Sequence, residues 1–197
     1  MTRIYEFHRM PHRVDMTCPA CRKRAEFEFA EVVSIKLKAD RPYFEQNSLF
    51  ETRKFEDLQG RPWYGACYFE GLHGDPRLAI HALPAGYAPG NWSHPSTPSR
   101  DHDSGDIGSV RCAHCGARGK HMLDWPADAC YSIGYRGHAL WAYNRDCAAA
   151  LLAYLSSTDR KSYGGWTVFL LHLPTVFKVR KARDTLARRW KKILDAE

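Results

Sequence analysis

Two cysteine pairs in this chain have the spacing of metal-binding turns: Cys18 and Cys21 in "TCPACRKR", and Cys112 and Cys115 in "VRCAHCGARGKH". A CxxC turn lets two sulfurs approach one ion from a single tight bend, and two such turns supply the four thiolates, at about 2.3 Å, of a tetrahedral structural zinc. A site closed by four thiolates keeps no position open for water, so it holds a fold rather than performing a reaction. Gly116 follows Cys115 where such a turn tends to need a residue tolerant of positive φ, so that N–H groups can point at the sulfurs; Arg22 takes the matching place after Cys21. Two other readings stand beside the shared ion. A CxxC serves as a redox pair in a βαβ context, which neither pair has, or the pairs hold separate ions with help from His12, His114 or His121.

The strings "CPAC" and "CAHC", each followed by β-rich sequence, resemble the knuckles of four-cysteine zinc-ribbon and treble-clef elements. The separation differs: 90 residues lie between Cys21 and Cys112, against roughly 15–20 in a compact ribbon. Closing a flexible loop of that size costs about 4 kcal/mol. Structural zinc binding is worth about 10–16 kcal/mol in small peptides, so the ion offsets the closure. The loop is then an insertion, better tolerated if it folds on its own.

The elements that must position these cysteines come from pattern. In "AEFEFAEVVSIKLK", Phe27, Phe29, Val33, Ile35 and Leu37 alternate with Glu and other polar residues, which predicts one half-buried strand. Further strands are expected at Trp63 to Phe69, Arg77 to Leu83, Lys120 to Trp125 and Ala129 to Tyr135, separated by Gly, Pro and Asp turn signals. Residues 85–108 contain 11 Gly, Pro or Ser among 24 and no apolar period, the composition of a long loop. The period then changes. Asn144 is placed to cap a helix whose face carries Ala148, Leu151, Leu152 and Leu155, with Asp146 in its first turn. Pro174 and Thr175 mark the start of a second helix with Val179, Ala182, Leu186, Trp190 and Ile193 on one stripe.

Composition narrows the class. The 197 residues suit one domain, or a small domain with an appendage. No apolar run approaches the length of a membrane span, and the first residues show no secretory h-region, so a reducing cytoplasm is expected. There cysteine pairs point to metal rather than disulfides, and the single Cys67, Cys130 and Cys147 are expected as small buried hydrophobes.

The net charge of +7 is local: Val176 to Leu194 holds eight Lys/Arg and one acid, and the rest of the chain is neutral. Lys178, Arg180, Lys181, Arg183, Arg188, Arg189, Lys191 and Lys192 flank the stripe of the final helix, a cationic surface suited to DNA or RNA phosphates. A solvated face, an acidic protein or a membrane surface would take the same charges, though solvated helices generally intersperse acid–base pairs. Arg22, Lys23, Arg24, Arg111, Arg118 and Lys120 crowd the knuckles, where they either compensate the −2 of a zinc tetrathiolate or touch phosphate.

The expectation is an α+β protein. A β-rich zinc-ribbon-like part spans residues 1–138 with a long insertion between the knuckles, followed by two C-terminal helices over 139–197. Its expected role is non-catalytic nucleic-acid binding, with one zinc as cofactor and other protein subunits as partners. The layout resembles the zinc-containing, large-subunit-like component of type IV CRISPR effector complexes, which implies contact with duplex DNA beside the protospacer-adjacent motif. A regulator or protein-interaction module of a phage or mobile element would share it. The segment "SRDHDSGDIGSVRCAHC" also resembles HNH-type nucleases, with Asp101 and His102 as the match, although no following Asn and second His complete the set. No phosphate-binding loop, nucleophile elbow, HExxH or dinucleotide fingerprint is present.

Overall fold

The computed structural model describes residues 10–57, 59–90, 92, 106–157 and 164–196. In chain order, β1 (Arg13–Thr17) and β2 (Arg24–Phe29) form an antiparallel hairpin with Thr17 opposite Arg24 at its closed end. Next come β3 (Glu31–Ser34), α1 (Arg41–Gln46), β4 (Phe50–Glu56), β5 (Pro62–Tyr68) and two single-turn helices, α2 (Glu70–His73) and α3 (Pro76–Ala79). A second hairpin, β6 (Ile107–Arg111) and β7 (Arg118–Met122), precedes a third, β8 (Tyr131–Tyr135) and β9 (His138–Ala142). The helices α4 (Arg145–Ser156), α5 (Thr167–Leu171), α6 (Thr175–Lys178) and α7 (Arg180–Asp195) follow. The chain is thus α+β with helices at its C-terminal end. Among the described residues, no helix is long and apolar enough to cross a membrane.

β2 pairs antiparallel with β6, so the first two hairpins share one sheet in the order β1-β2-β6-β7. Phe27 faces Val110 and Phe29 faces Gly108 in that register. A Cβ at position 108 would run into the Phe27 ring and the Glu28 carbonyl, so glycine is what allows the strands to close here. The segment between them makes the second sheet, β3-β5-β4. One of its faces buries Val32, Phe55 and Cys67 with Phe69 and Ile107; the other buries Val33, Ala66 and Tyr68 with Phe44, Phe50 and Ile80. The insertion therefore has its own packed layers.

This arrangement corrects four expectations. The alternating run after the first knuckle is two strands in different sheets. At Ala30 the backbone bonds Ile107 (3.0 Å), and beyond it β3 turns to β5, leaving Leu37 exposed. Glu28, expected on a wet face, is buried between Phe27 and Phe29 because both faces of β2 are covered. Arg77 to Leu83 is not a strand: Asp75 caps the turn by accepting from the Arg77 N–H, and Pro76 supplies its first residue. The last helix starts at Arg180 rather than Thr175, because Val179 is extended (ψ 142) and leaves the stripe for solvent.

Where the pattern was strong it matches. The Asn144 side chain accepts from the Cys147 N–H at 2.9 Å, and Cys147, Ala148, Leu151 and Leu155 are buried. Cys67 is buried as well, while Cys130 is only partly covered. Ala182, Leu186 and Trp190 seat α7 on α4, and the Trp190 indole donates to the Ala148 carbonyl at 2.8 Å. Arg183 donates from Nε to the Leu155 carbonyl (3.1 Å), satisfying an orphan acceptor at the end of α4. These helices share one apolar core with β1, β2, β8 and β9. Truncating Trp190 to Ala should cost about 3–5 kcal/mol in urea unfolding, the range for a buried large aromatic; a cost below about 1 kcal/mol would place α7 outside the cooperative core.

Candidate metal centre

Each knuckle sits at the closed end of a hairpin, and the two follow one hydrogen-bond pattern. Cys18 N–H donates to Lys23 O (2.7 Å) and Arg22 N–H to Cys18 O (3.0 Å); Cys112 N–H donates to Ala117 O (2.8 Å) and Gly116 N–H to Cys112 O (3.0 Å). The residue after the second cysteine is left-handed in both turns, Gly116 at φ 73 and Arg22 at φ 61. The turn geometry thus overrides the residue type at Arg22. The β2–β6 pairing lays the hairpins side by side, so 90 residues of separation collapse to contact.

All four sulfurs lie within 4.8 Å of one another. Cys18 Sγ is 3.8 Å from Cys115 Sγ, and Cys21 Sγ is 3.6 Å from Cys112 Sγ. A tetrahedron with metal–sulfur bonds of about 2.3 Å has edges of about 3.8 Å, so the spacing is that of four ligands to one ion. The first cysteine of each knuckle points into the core and the second lies nearer the surface. His114 is exposed, His121 bonds Asp128 (2.9 Å) and His12 lies against Glu28 (3.3 Å). The cluster consists of cysteines alone.

As thiols, Cys18 and Cys21 are driven in opposite directions. The Cys21 N–H holds Cys18 down to about 6 against the effect of burial. At Cys21 the Lys23 N–H acts in the same sense, but burial and the neighbouring thiols of Cys115, Cys112 and Cys18 outweigh it and push the group up to about 12. A cation that binds thiolate removes the conflict by drawing charge from all four. The donor set fits a structural zinc.

The cations singled out by sequence divide into two sets. Several are engaged with backbone or acids. Arg118 donates to the Gly71 and Leu72 carbonyls (3.0 and 2.6 Å), and Lys120 pairs with Glu51 (2.7 Å) over the Phe69 ring, joining β7 to the insertion. Arg111 pairs with Glu26 (3.0 Å). Lys178 reaches Leu171 O (2.6 Å), Arg183 Leu155 O, Arg188 Asp184 O (3.3 Å) and Arg189 Gly134 O (3.0 Å). Arg180, Lys181, Lys191 and Lys192 are exposed on α7.

The structure also brings together what the sequence kept apart. Met16 bridges to Ala129, and the Asp15 and Thr17 N–H groups donate to Tyr143 and Asp128 carbonyls, which fixes the third hairpin beside the first. Arg189 then ties α7 to β8. As a result Lys192 lines one pocket with Arg22, Lys23, Arg24 and His114. The three residues after Cys21 were visible as knuckle cations; their meeting with α7 depends on packing that no local pattern reports. Asp101 and His102 lie outside the described residues.

A second grouping of metal-capable side chains, His12, Glu28 and Glu70, is occupied by an ion pair: Arg13 donates to Glu28 from Nε (2.9 Å) and Nη2 (2.7 Å). Comparison of the chain with family models, with curated proteins and with solved structures returned no match. What defines its class is the site itself: a protein with two β-hairpins that converge on a four-cysteine cluster compatible with structural zinc.

The purified chain should carry about one equivalent of zinc, and Cys112→Ser should abolish it and lower the unfolding midpoint. Full stability with no bound metal would reject the centre. At Glu28, burial favours the neutral acid, but His12 and Arg13 outweigh it and hold the carboxyl below the usual glutamate range. A depressed folded value contributes stability at neutral pH that fades as pH falls below about 4.3. Glu28→Gln should flatten that acid-side loss in unfolding curves recorded at successive pH values.

Proposed function

We propose that this protein is a non-enzymatic, zinc-stabilised nucleic-acid-binding protein and a subunit of a larger nucleoprotein complex. Cys18, Cys21, Cys112 and Cys115 hold one zinc, whose task is to fix the knuckles. One observation carries the reading: Lys192 of α7 lines the same pocket as Arg22, Lys23, Arg24 and His114. Cations from opposite ends of the chain thus line one concavity, which two separate solvated faces would not require. Exposed Lys181 and Lys191 extend the positive surface along α7, as does Arg188, which is exposed although its Nε donates to the Asp184 carbonyl of its own helix. Phosphate backbones bind such surfaces chiefly by releasing condensed counterions. In its finer form the reading takes duplex DNA as the polyanion, as the type IV CRISPR resemblance implies.

The test is the salt dependence of binding by the zinc-loaded chain to a duplex and to a single strand. Affinity should fall steeply with salt, and Arg188→Ser, Lys191→Ser and Lys192→Ser together should reduce the log–log slope by about 2–3. Absence of binding at low salt, or a slope untouched by the triple variant, would reject the reading. Magnesium-dependent cleavage lost in His102→Ala would replace it with the nuclease alternative.

A further inference from the structure

Arg22 and Gly116 occupy equivalent places in two turns with the same hydrogen bonds, at φ 61 and φ 73. Glycine serves the second turn at no steric cost, whereas an L side chain in this region is disfavoured. Conformational strain kept at one residue points to a use for its side chain. The Arg22 side chain lines an open pocket of about 580 Å³, a size suited to a small ligand. Lys23 and Arg24 flank it from the same turn, His114 approaches from the second knuckle, and Lys192 from the last turn of α7. Among the described residues no acidic side chain lines it, and Ile193 gives it an apolar side. Asp15 shares Arg24 (3.4 Å), and four thiolates on zinc carry a formal −2, yet the four fixed cations leave the balance positive.

We infer that this pocket is a phosphomonoester site, taking the terminal phosphate of a nucleic-acid strand or the phosphate of a free nucleotide. Only the strand as source rests on the function proposed above. A backbone diester continues on both sides and suits a groove, whereas a pocket lined from three elements suits an end group. A monoester carries about −1.5 to −2 at neutral pH and three terminal oxygens, which matches several converging donors better than one diester does. The sugar or base lies toward Ile193.

The experiment uses the zinc-loaded full chain at one salt concentration. Anisotropy compares one oligonucleotide bearing a 5′-phosphate, a 3′-phosphate or neither, together with an end-free circular strand, and calorimetry follows AMP binding. One terminal phosphate should tighten binding at least about tenfold. That ratio should approach one in Arg22→Gly and in Lys23→Ser/Lys192→Ser; a ratio is read because lost general attraction affects every strand alike. Arg22→Gly should keep its zinc and an unfolding midpoint no lower than that of the parent chain, a combination that a merely structural arginine would not give. AMP binding of comparable strength, lost in the same variants, assigns the pocket to free nucleotide; a phosphate preference without AMP binding assigns it to strand ends. Equal binding of all three oligonucleotides with no AMP binding overturns the inference, and the circular strand then reports separately whether nucleic-acid binding stands. AMP binding with no affinity for any strand supports the pocket and overturns the proposed function instead.

Discussion

The antiparallel pairing of β2 with β6 is the contact on which the rest of the molecule depends. Each CxxC turn can form within its own hairpin, but four sulfurs reach tetrahedral spacing only when the hairpins lie side by side. Phe27 against Val110 and the bare backbone of Gly108 set that register. A slip of one residue would send Phe27 and Phe29 to the opposite face and carry one pair of sulfurs away from the other. Sheet and metal centre are therefore two expressions of one alignment. The closure entropy of the long intervening segment is met by strand pairing as well as by any ion.

Charge is used in two ways. Guanidinium and ammonium groups that end on carbonyls or carboxylates act as fasteners: Arg183 at the end of α4, Arg189 on β8, Arg118 on α2 and Lys120 on β4. Those that end in solvent or line the pocket keep their charge available. A count of basic residues along α7 cannot separate the two sets, because Lys191 and Arg189 are near neighbours in sequence and differ only in which side of the helix meets β8.

The ligand set was legible because CxxC spacing is a local constraint that the backbone turn enforces. The helix over 145–156 was legible for the same reason, its cap and stripe being contained in one short segment. Tertiary context governed the failures. Phe27 through Leu37 keeps a period of two across a change of sheet, since alternation reports side-chain direction and not the neighbour strand. Val179 fits the helical stripe by spacing, yet the chain must bend there between α6 and α7. β1, β4, β6 and β9 carry mixed or short apolar patterns and owe their pairing to neighbours distant in sequence. The pocket is of this kind too, assembled from a turn near residue 22 and a helix end near residue 192.

The docking of α2 on the metal-bearing sheet has an unusual selectivity. Arg118 grips the carbonyl oxygens of Gly71 and Leu72, atoms that every amino acid provides. At Gly71, however, a Cβ would collide with Ser109 Oγ and come within 2.9 Å of Glu28 Oε2. The attachment thus recognises a backbone shape and one missing methyl group, with Leu72 packed beside it on the apolar cluster below. Position 71 thus works as a keyhole: any side chain there would push the inserted segment off the sheet that carries the cysteines.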